Sequence, residues 1–233
     1  MRILIVFFTY LFLFTAQIHA VEYFEKLPKF SRIEISGRMT VQIETFGDNI
    51  VTNTENTMKI NVRSGSIRDL DYYMSGETLI LRKKSGAFQT RSIIITLNIS
   101  NTISQLDVST GALVRTFRNI FDERAEIRAE SGSYLDLVVD ASSLFINSGR
   151  DSSVIIKGRV NQVETRAVNS ALIDAELLAV SRAFVYAYTG STIKINALEY
   201  LEATASMKSA VYYKQTSAVK HLSELAGGEY IEF

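Results

Sequence analysis

The sequence predicts an all-β solenoid, a stack of β coils of about 20 residues each. Three observations carry this. A tight-turn position recurs six times between residues 106 and 214, at Gly111, Gly132, Asp151, Asn169, Gly190 and Lys208, with gaps of 21, 19, 18, 21 and 18 residues. A small residue follows each turn (Ala112, Ser133, Ser152, Ser170, Ser191 or Ser209), and an aliphatic one comes two positions later (Val114, Leu135, Val154, Leu172, Ile193 or Val211). Period-two alternation of apolar and polar residues runs through nearly all the rest, which is strand chemistry.

Residues 1–20 stand apart. Arg2 precedes a 13-residue apolar run, Ile3 to Thr15, and Ala16-Gln17-Ile18-His19-Ala20 offers a small residue for cleavage. The pattern predicts a secretory signal peptide, because 13 helical residues span only about 20 Å, short of a bilayer core. The expected location is therefore exported: periplasm, outer surface or extracellular. Removal of the segment leaves 24 basic groups against 25 acidic ones, a net charge of −1. That balance argues against nucleic acid as a partner, and no stable membrane insertion is expected once the signal is gone. Cysteine is absent, which excludes disulfides, thiolate metal sites and a cysteine nucleophile.

Residues 21–28 form a lead-in that ends at the chain's single proline, Pro28. Residues 29–100 read as a β-rich N-terminal region that caps the solenoid. Ile33 and Ile35, then Met39, Val41 and Ile43, then Met58, Ile60 and Val62 alternate with polar residues. Gly37, Gly47-Asp48-Asn49, Ser64-Gly65, Ser75-Gly76 and Ser85-Gly86 mark turns between the strands. Asn98-Ile99-Ser100 matches a glycosylation sequon but lies in a strand run.

The repeats occupy 101–215. Residues three and five before each turn share a face, as do those three and five after it. Val108 and Leu106, Ala129 and Ile127, Ser148 and Ile146, Ala187 and Val185, and Ala203 and Ala205 are predicted to point inward. After the turns, Val114, Leu135, Val154, Leu172, Ile193 and Val211 are predicted to stack into one aliphatic ladder, with Tyr213 also inward. The fourth coil breaks the pattern. Val163 and Thr165 lie one residue too early before Asn169, which predicts a bulge or longer turn, and Asp174 falls on an inward position. Gly, Asn and Asp tolerate positive φ; Lys208 does not share that tolerance and predicts strain or a different turn. Serine after the turn is placed to bond the neighbouring corner's backbone. Residues 216–233 are expected to cap the far end, with a short helix over 217–225 stopped by Gly227-Gly228.

The opening Phe30-Ser-Arg-Ile-Glu-Ile-Ser-Gly37 and the serial cores Ser109-Thr-Gly-Ala112, Glu130-Ser-Gly-Ser133, Tyr188-Thr-Gly-Ser191 and Met207-Lys-Ser-Ala210 resemble the auto-transporter adhesin family, head GIN domain, over about residues 29 to 215. The resemblance implies a right-handed single-stranded β-helix on an exported bacterial protein, and it brings no catalytic residues.

Candidate chemistry is sparse. His221 is the one histidine beyond the signal segment and reads as a surface residue; neither a metal nor a cofactor is expected. Asp107, Glu130, Glu164 and Glu202 lie outward before the turns. A solvated, charge-balanced face accounts for them, and a carboxylate pair cleaving polysaccharide, as lyase or hydrolase, is the alternative. Asp107 and Arg128 fall on corresponding positions of adjacent coils. Phe184, Tyr186 and Tyr188 alternate outward on one strand, an aromatic row suited to sugar rings or a partner surface, unless a loop around Ser64 to Tyr73 covers it. The expectation is a non-enzymatic envelope or surface protein that presents flat sheet faces to glycan or protein. Self-association into a homo-oligomer is the third possibility.

Overall fold

In the computed structural model, residues 21–45, 55–64, 66–84, 92–214 and 219–233 are described. The predicted signal segment and the turns predicted at Gly47-Asp48-Asn49, Gly65 and Ser85-Gly86 lie outside them. The chain forms a β-solenoid of stacked parallel coils. Its strands in order are β1 Val21–Leu27, β2 Arg32–Ser36, β3 Thr40–Thr45, β4 Asn56–Ser64, β5 Leu70–Ser75, β6 Thr78–Lys83, β7 Ser92–Ile99, β8 Ile103–Ser109, β9 Leu113–Thr116 and β10 Phe121–Ala129. They continue as β11 Tyr134–Gly149, β12 Ser153–Val168, β13 Leu172–Ala187, β14 Thr192–Ser206, β15 Ala210–Tyr213, β16 Val219–Leu225 and β17 Glu229–Glu232.

The corner is a pair of left-handed residues, not a single one. Thr110-Gly111, Ser131-Gly132, Arg150-Asp151, Asn169-Ser170, Thr189-Gly190, Met207-Lys208 and Ala226-Gly227 all have φ between 48° and 75°. The second residue's N–H donates to the first residue's carbonyl one coil on: Gly111 to Ser131 (3.0 Å), Gly132 to Arg150 (2.9 Å), Asp151 to Asn169 (3.0 Å), Ser170 to Thr189 (3.0 Å) and Gly190 to Met207 (2.9 Å). Lys208 keeps this geometry at φ 59°. The outcome is therefore strain within the common turn, on the order of 1–2 kcal/mol for a non-glycine residue, and not a different turn.

The two-residue corner corrects the fourth coil. Its second corner residue is Ser170, not Asn169, so everything counted from that corner moves by one. Ile173, not Leu172, joins the aliphatic ladder: Val114 pairs with Leu135, Leu135 with Val154, Val154 with Ile173, Ile173 with Ile193, and Ile193 with Val211. All six are fully buried. No bulge is needed before the corner, because Val163 and Thr165 sit opposite Leu144 and Ile146 in unbroken register. Asp174 faces outward and pairs with Lys194 at 3.2 Å.

The small residue after the corner has a defined task. Ser133, Ser152, Ser191 and Ser209 donate from Oγ to the carbonyls of Val108 (3.3 Å), Ala129 (2.9 Å), Ala167 (2.9 Å) and Ala187 (2.7 Å), each one coil back. These buried hydroxyls stitch neighbouring corners together without leaving an unsatisfied oxygen. Ala112 and Ala171 fill the same position in two further coils, and Gly228 fills it in the last.

The expected helix over 217–225 is not formed. The described part, β16, is a strand that stacks Lys220, Leu222 and Glu224 on Leu201, Ala203 and Ala205. Gly227 then makes a seventh corner, after which Tyr230 lies on Val211. A period of 19 residues from Lys208 to Gly227, together with the parallel ladder, overrides the weak helical pattern.

Winding at the N-terminal end is not sequential. Strands β2 and β3 stack on β8 and β9, while β6 and β7 stack on the opposite edges of β2 and β3. The later strands β6 and β7 thus lie outside the earlier strands β2 and β3. Antiparallel strands finish this end: β4 on β7, β1 on β4, and β5 on β6. Changing strand direction covers the ladders of β6 and β7, which would otherwise present the first parallel coil as an open edge.

Candidate functional site

Along the strand that approaches each corner, inward residues alternate with outward ones, and the parallel register lines the outward ones up from coil to coil. The column six residues before the corner runs Gln105, Glu126, Phe145, Glu164, Phe184, Glu202 and His221, each directly opposite the next. From Glu126 onward, acidic and aromatic side chains alternate. Like residues recur every second coil, about 9.6 Å apart at the usual strand spacing, and the seven positions cover roughly 29 Å of the solenoid axis.

The predicted row Phe184, Tyr186 and Tyr188 crosses this column. All three are half-buried and outward, while Ala183, Val185 and Ala187 between them are fully buried. The segment around Ser64 to Tyr73 does not cover the row. Residues 70–75 pair with β6 at the N-terminal end, many strands from β13. Neighbours extend the platform instead. Phe184 and Tyr200 have ring centroids 5.7 Å apart and tilted by 49°, and Tyr200 and His221 stand 5.7 Å apart at 47°. Arg166 lies over the Tyr188 ring at 5.8 Å, a cation–π contact.

The hydroxyls of Tyr186 and Tyr200 both titrate above the ordinary phenol value. Burial of the ring raises the Tyr186 hydroxyl first, and the carboxylates of Glu202 and Glu164 raise it further. The Tyr200 hydroxyl donates to Glu202 Oε2 at 3.0 Å, and that bond is the main reason its titration also moves up. The face therefore offers hydroxyl groups, carboxylate acceptors and the guanidinium groups of Arg166 and Arg182 around half-buried rings.

Toward the N-terminal end the same face sinks into an open groove of about 420 Å³. Gln105, Glu126, Phe145 and Glu164 from the column line it, with Arg32, Arg124 and Gln162 beside them. Glu164 is shared between groove and platform, so the two form one continuous strip.

Of the other sequence candidates, Asp107 lies opposite both Glu34 and Arg128. Gln105 Nε2 donates to its Oδ2 at 2.8 Å, and its Oδ1 is buried with no hydrogen-bond partner. Burial raises its carboxyl above the ordinary range, and the Gln105 bond and Arg128 oppose that. Glu130 pairs with Arg150 at 3.8 Å. Among the described residues no group of three His, Asp or Glu side chains converges as a metal site, and no helix is long and apolar enough to cross a membrane.

Sequence reasoning found the strip's tyrosines but missed Phe145, Tyr200 and His221 as members. The signal was present. Counted from the second corner residue, every column member is the sixth residue back. Glu164 and Glu202 already read as outward in the sequence, but a count of six back from Asn169 lands on Val163 and breaks the column.

The fold and this strip define a class: a parallel β-solenoid with one outward face built as a continuous acidic and aromatic strip. The family model described as "Putative auto-transporter adhesin, head GIN domain" matches residues 29–217, and the chain belongs to that family. No curated protein matches it. Among solved structures, it is similar to a putative adhesin from Bacteroides fragilis, at 15% identity and a TM-score of 0.80 over 92% of this chain and 97% of that one. A putative adhesin from Parabacteroides merdae follows at 17% identity and a TM-score of 0.71, covering 92% and 96%. A putative lipid binding protein from Parabacteroides distasonis shares 12% identity at a TM-score of 0.62, covering 92% and 96%. At such identities the likeness is one of fold.

Proposed function

We propose that this chain is a non-enzymatic, exported surface module of the adhesin class that binds a linear glycan along the acidic and aromatic strip. The observation that supports this reading is the alternation Glu126, Phe145, Glu164, Phe184, Glu202, His221 down one column of the stack. Sugar rings stack on exposed aromatic faces, and their hydroxyls bond carboxylates between those faces. A site that repeats every second coil suits a polymer with its own repeat, and many weak contacts then add along the chain. Tyr186, Tyr188 and Tyr200 widen the platform beside Phe184.

The test is glycan-array binding followed by calorimetry on the chain from Val21. Wild type is expected to bind an extended glycan more tightly than its monosaccharide. Phe184→Ala should weaken binding roughly 5-fold or more, on the scale of the about 1–3 kcal/mol that a nucleobase loses with its aromatic stacking partner, and Tyr186→Ala with Tyr188→Ala should do the same. Release of reducing ends or unsaturated sugars would move the assignment to a lyase or hydrolase. Unchanged affinity in both variants would remove the strip from the binding site.

A further inference from the structure

The first end of the solenoid finishes in antiparallel strands, whereas the far end finishes in parallel ones. Strand β16 pairs with β14 alone and β17 with β15 alone among the described residues. Among the described residues no antiparallel strand covers either. The N–H and C=O groups along the outer edge of β16 are a template for another strand. The end also exposes apolar side chains: Val219 (46%), Leu222 (38%), Leu225 (53%) and Phe233 (45%).

The sequence of β16 says which strand fits. It reads Val219-Lys220-His221-Leu222-Ser223-Glu224-Leu225. Turned about Leu222 and laid antiparallel on a second copy, it opposes Val219 with Leu225, Lys220 with Glu224, His221 with Ser223, and Leu222 with itself. Apolar residues meet apolar ones, and each lysine meets a glutamate, at both ends of the pairing. No other centre within the strand pairs both charges with their opposites while keeping all seven residues opposed. An isologous two-fold interface requires this self-complementarity, and opposite charges directly across an antiparallel pair stabilise it.

We propose that β16 is a dimerisation edge, on which two copies of this chain join end to end by antiparallel pairing centred on Leu222. Lys220 and Glu224 occupy core-facing positions of the last coil. Lys220 Nζ now rests over the Tyr213 ring at 4.9 Å, within reach of a partner carboxylate across the edge. The paired strands, seven residues each, run about 23 Å, which places the contact in the small, transient class of interfaces. Dimerisation extends the solenoid and puts two copies of the outward strip on one particle.

The chain from Val21 tests this by analytical ultracentrifugation across a concentration series. Wild type is expected to pass from monomer to dimer. Lys220→Glu or Glu224→Lys alone places like charges opposite each other twice and should weaken association at least tenfold. The double exchange, Lys220→Glu with Glu224→Lys, should restore it. That rescue separates charge pairing from loss of the Tyr213 contact, which the exchange does not restore. Because the chain has no cysteine, Leu222→Cys adds a second readout. Paired Cα atoms in an antiparallel ladder stand about 4.5–5.5 Å apart, inside the range a disulfide spans. This variant should form a disulfide-linked dimer several-fold faster than Leu177→Cys, an exposed control on β13. A wild type that stays monomeric at every concentration, with Leu222→Cys no faster than the control, would overturn the proposal. A dimer indifferent to the single charge changes would overturn it equally.

Discussion

Two neighbouring substitutions, Ile173→Ala and Leu172→Ala, separate the observed register from the one that a count from Asn169 would give. Ile173 has no exposed surface and lies in the ladder between Val154 and Ile193. Leu172 is next along the strand, points outward and is half-buried. Truncating a fully buried isoleucine costs about 2–5 kcal/mol, through lost transfer energy and the cavity left behind. The ladder neighbours are held by their own coils and have little freedom to collapse inward, so a value near 3 kcal/mol is expected. For a chain of this length that is a fall in melting temperature of roughly 6–12 °C. Leu172→Ala removes only partly covered surface and should cost about 1 kcal/mol or less. The assay is paired urea and thermal unfolding of each variant against wild type, followed by far-UV circular dichroism. If Leu172→Ala proves as costly as Ile173→Ala, or costlier, the corner at Asn169-Ser170 is misplaced and the ladder with it.

Three further outcomes follow from the same geometry. Gly158 has φ 127°, and a Cβ there would stand 2.0 Å from the Val139 carbonyl oxygen; Gly158→Ala should therefore destabilise the chain by about 3 kcal/mol or more, read as a shifted urea midpoint. Ser209 Oγ accepts from the Ser206 N–H at 2.8 Å and has the carbonyls of Ala187 and Ser206, both at 2.7 Å, as alternative acceptors for its single proton; Ser209→Ala should cost about 1–2 kcal/mol and speed hydrogen exchange at the last corners. Burial raises the Asp107 carboxyl in the folded state, so its favourable contribution is present below the unfolded titration point and lost as pH rises through the folded one. Asp107→Asn should consequently melt higher than wild type at neutral pH, with the difference vanishing below the ordinary carboxylate range.

The aromatic row was legible in the sequence because strand alternation is local: Phe184, Tyr186 and Tyr188 on one side and Val185 and Ala187 on the other need no knowledge of neighbours. The corner serines were legible for a similar reason, since a small hydroxyl after each positive-φ residue is a local device. His221 and Phe145 were not, because each is unremarkable in its own coil. They gain meaning from a register that depends on counting every corner correctly.

By itself the sequence determined the repeat, the inward set of most coils but not of the one after Asn169-Ser170, and the outward tyrosines. All of these follow from side-chain periodicity within a few residues. Only the tertiary structure decided that β6 and β7 stack outside β2 and β3, that residues 219–232 extend the winding as a further coil, and that acids and aromatics alternate down one face. Those outcomes depend on which strands share hydrogen bonds across long sequence separations, and pairing of that kind is set by the competition among free strand edges, which no local pattern encodes.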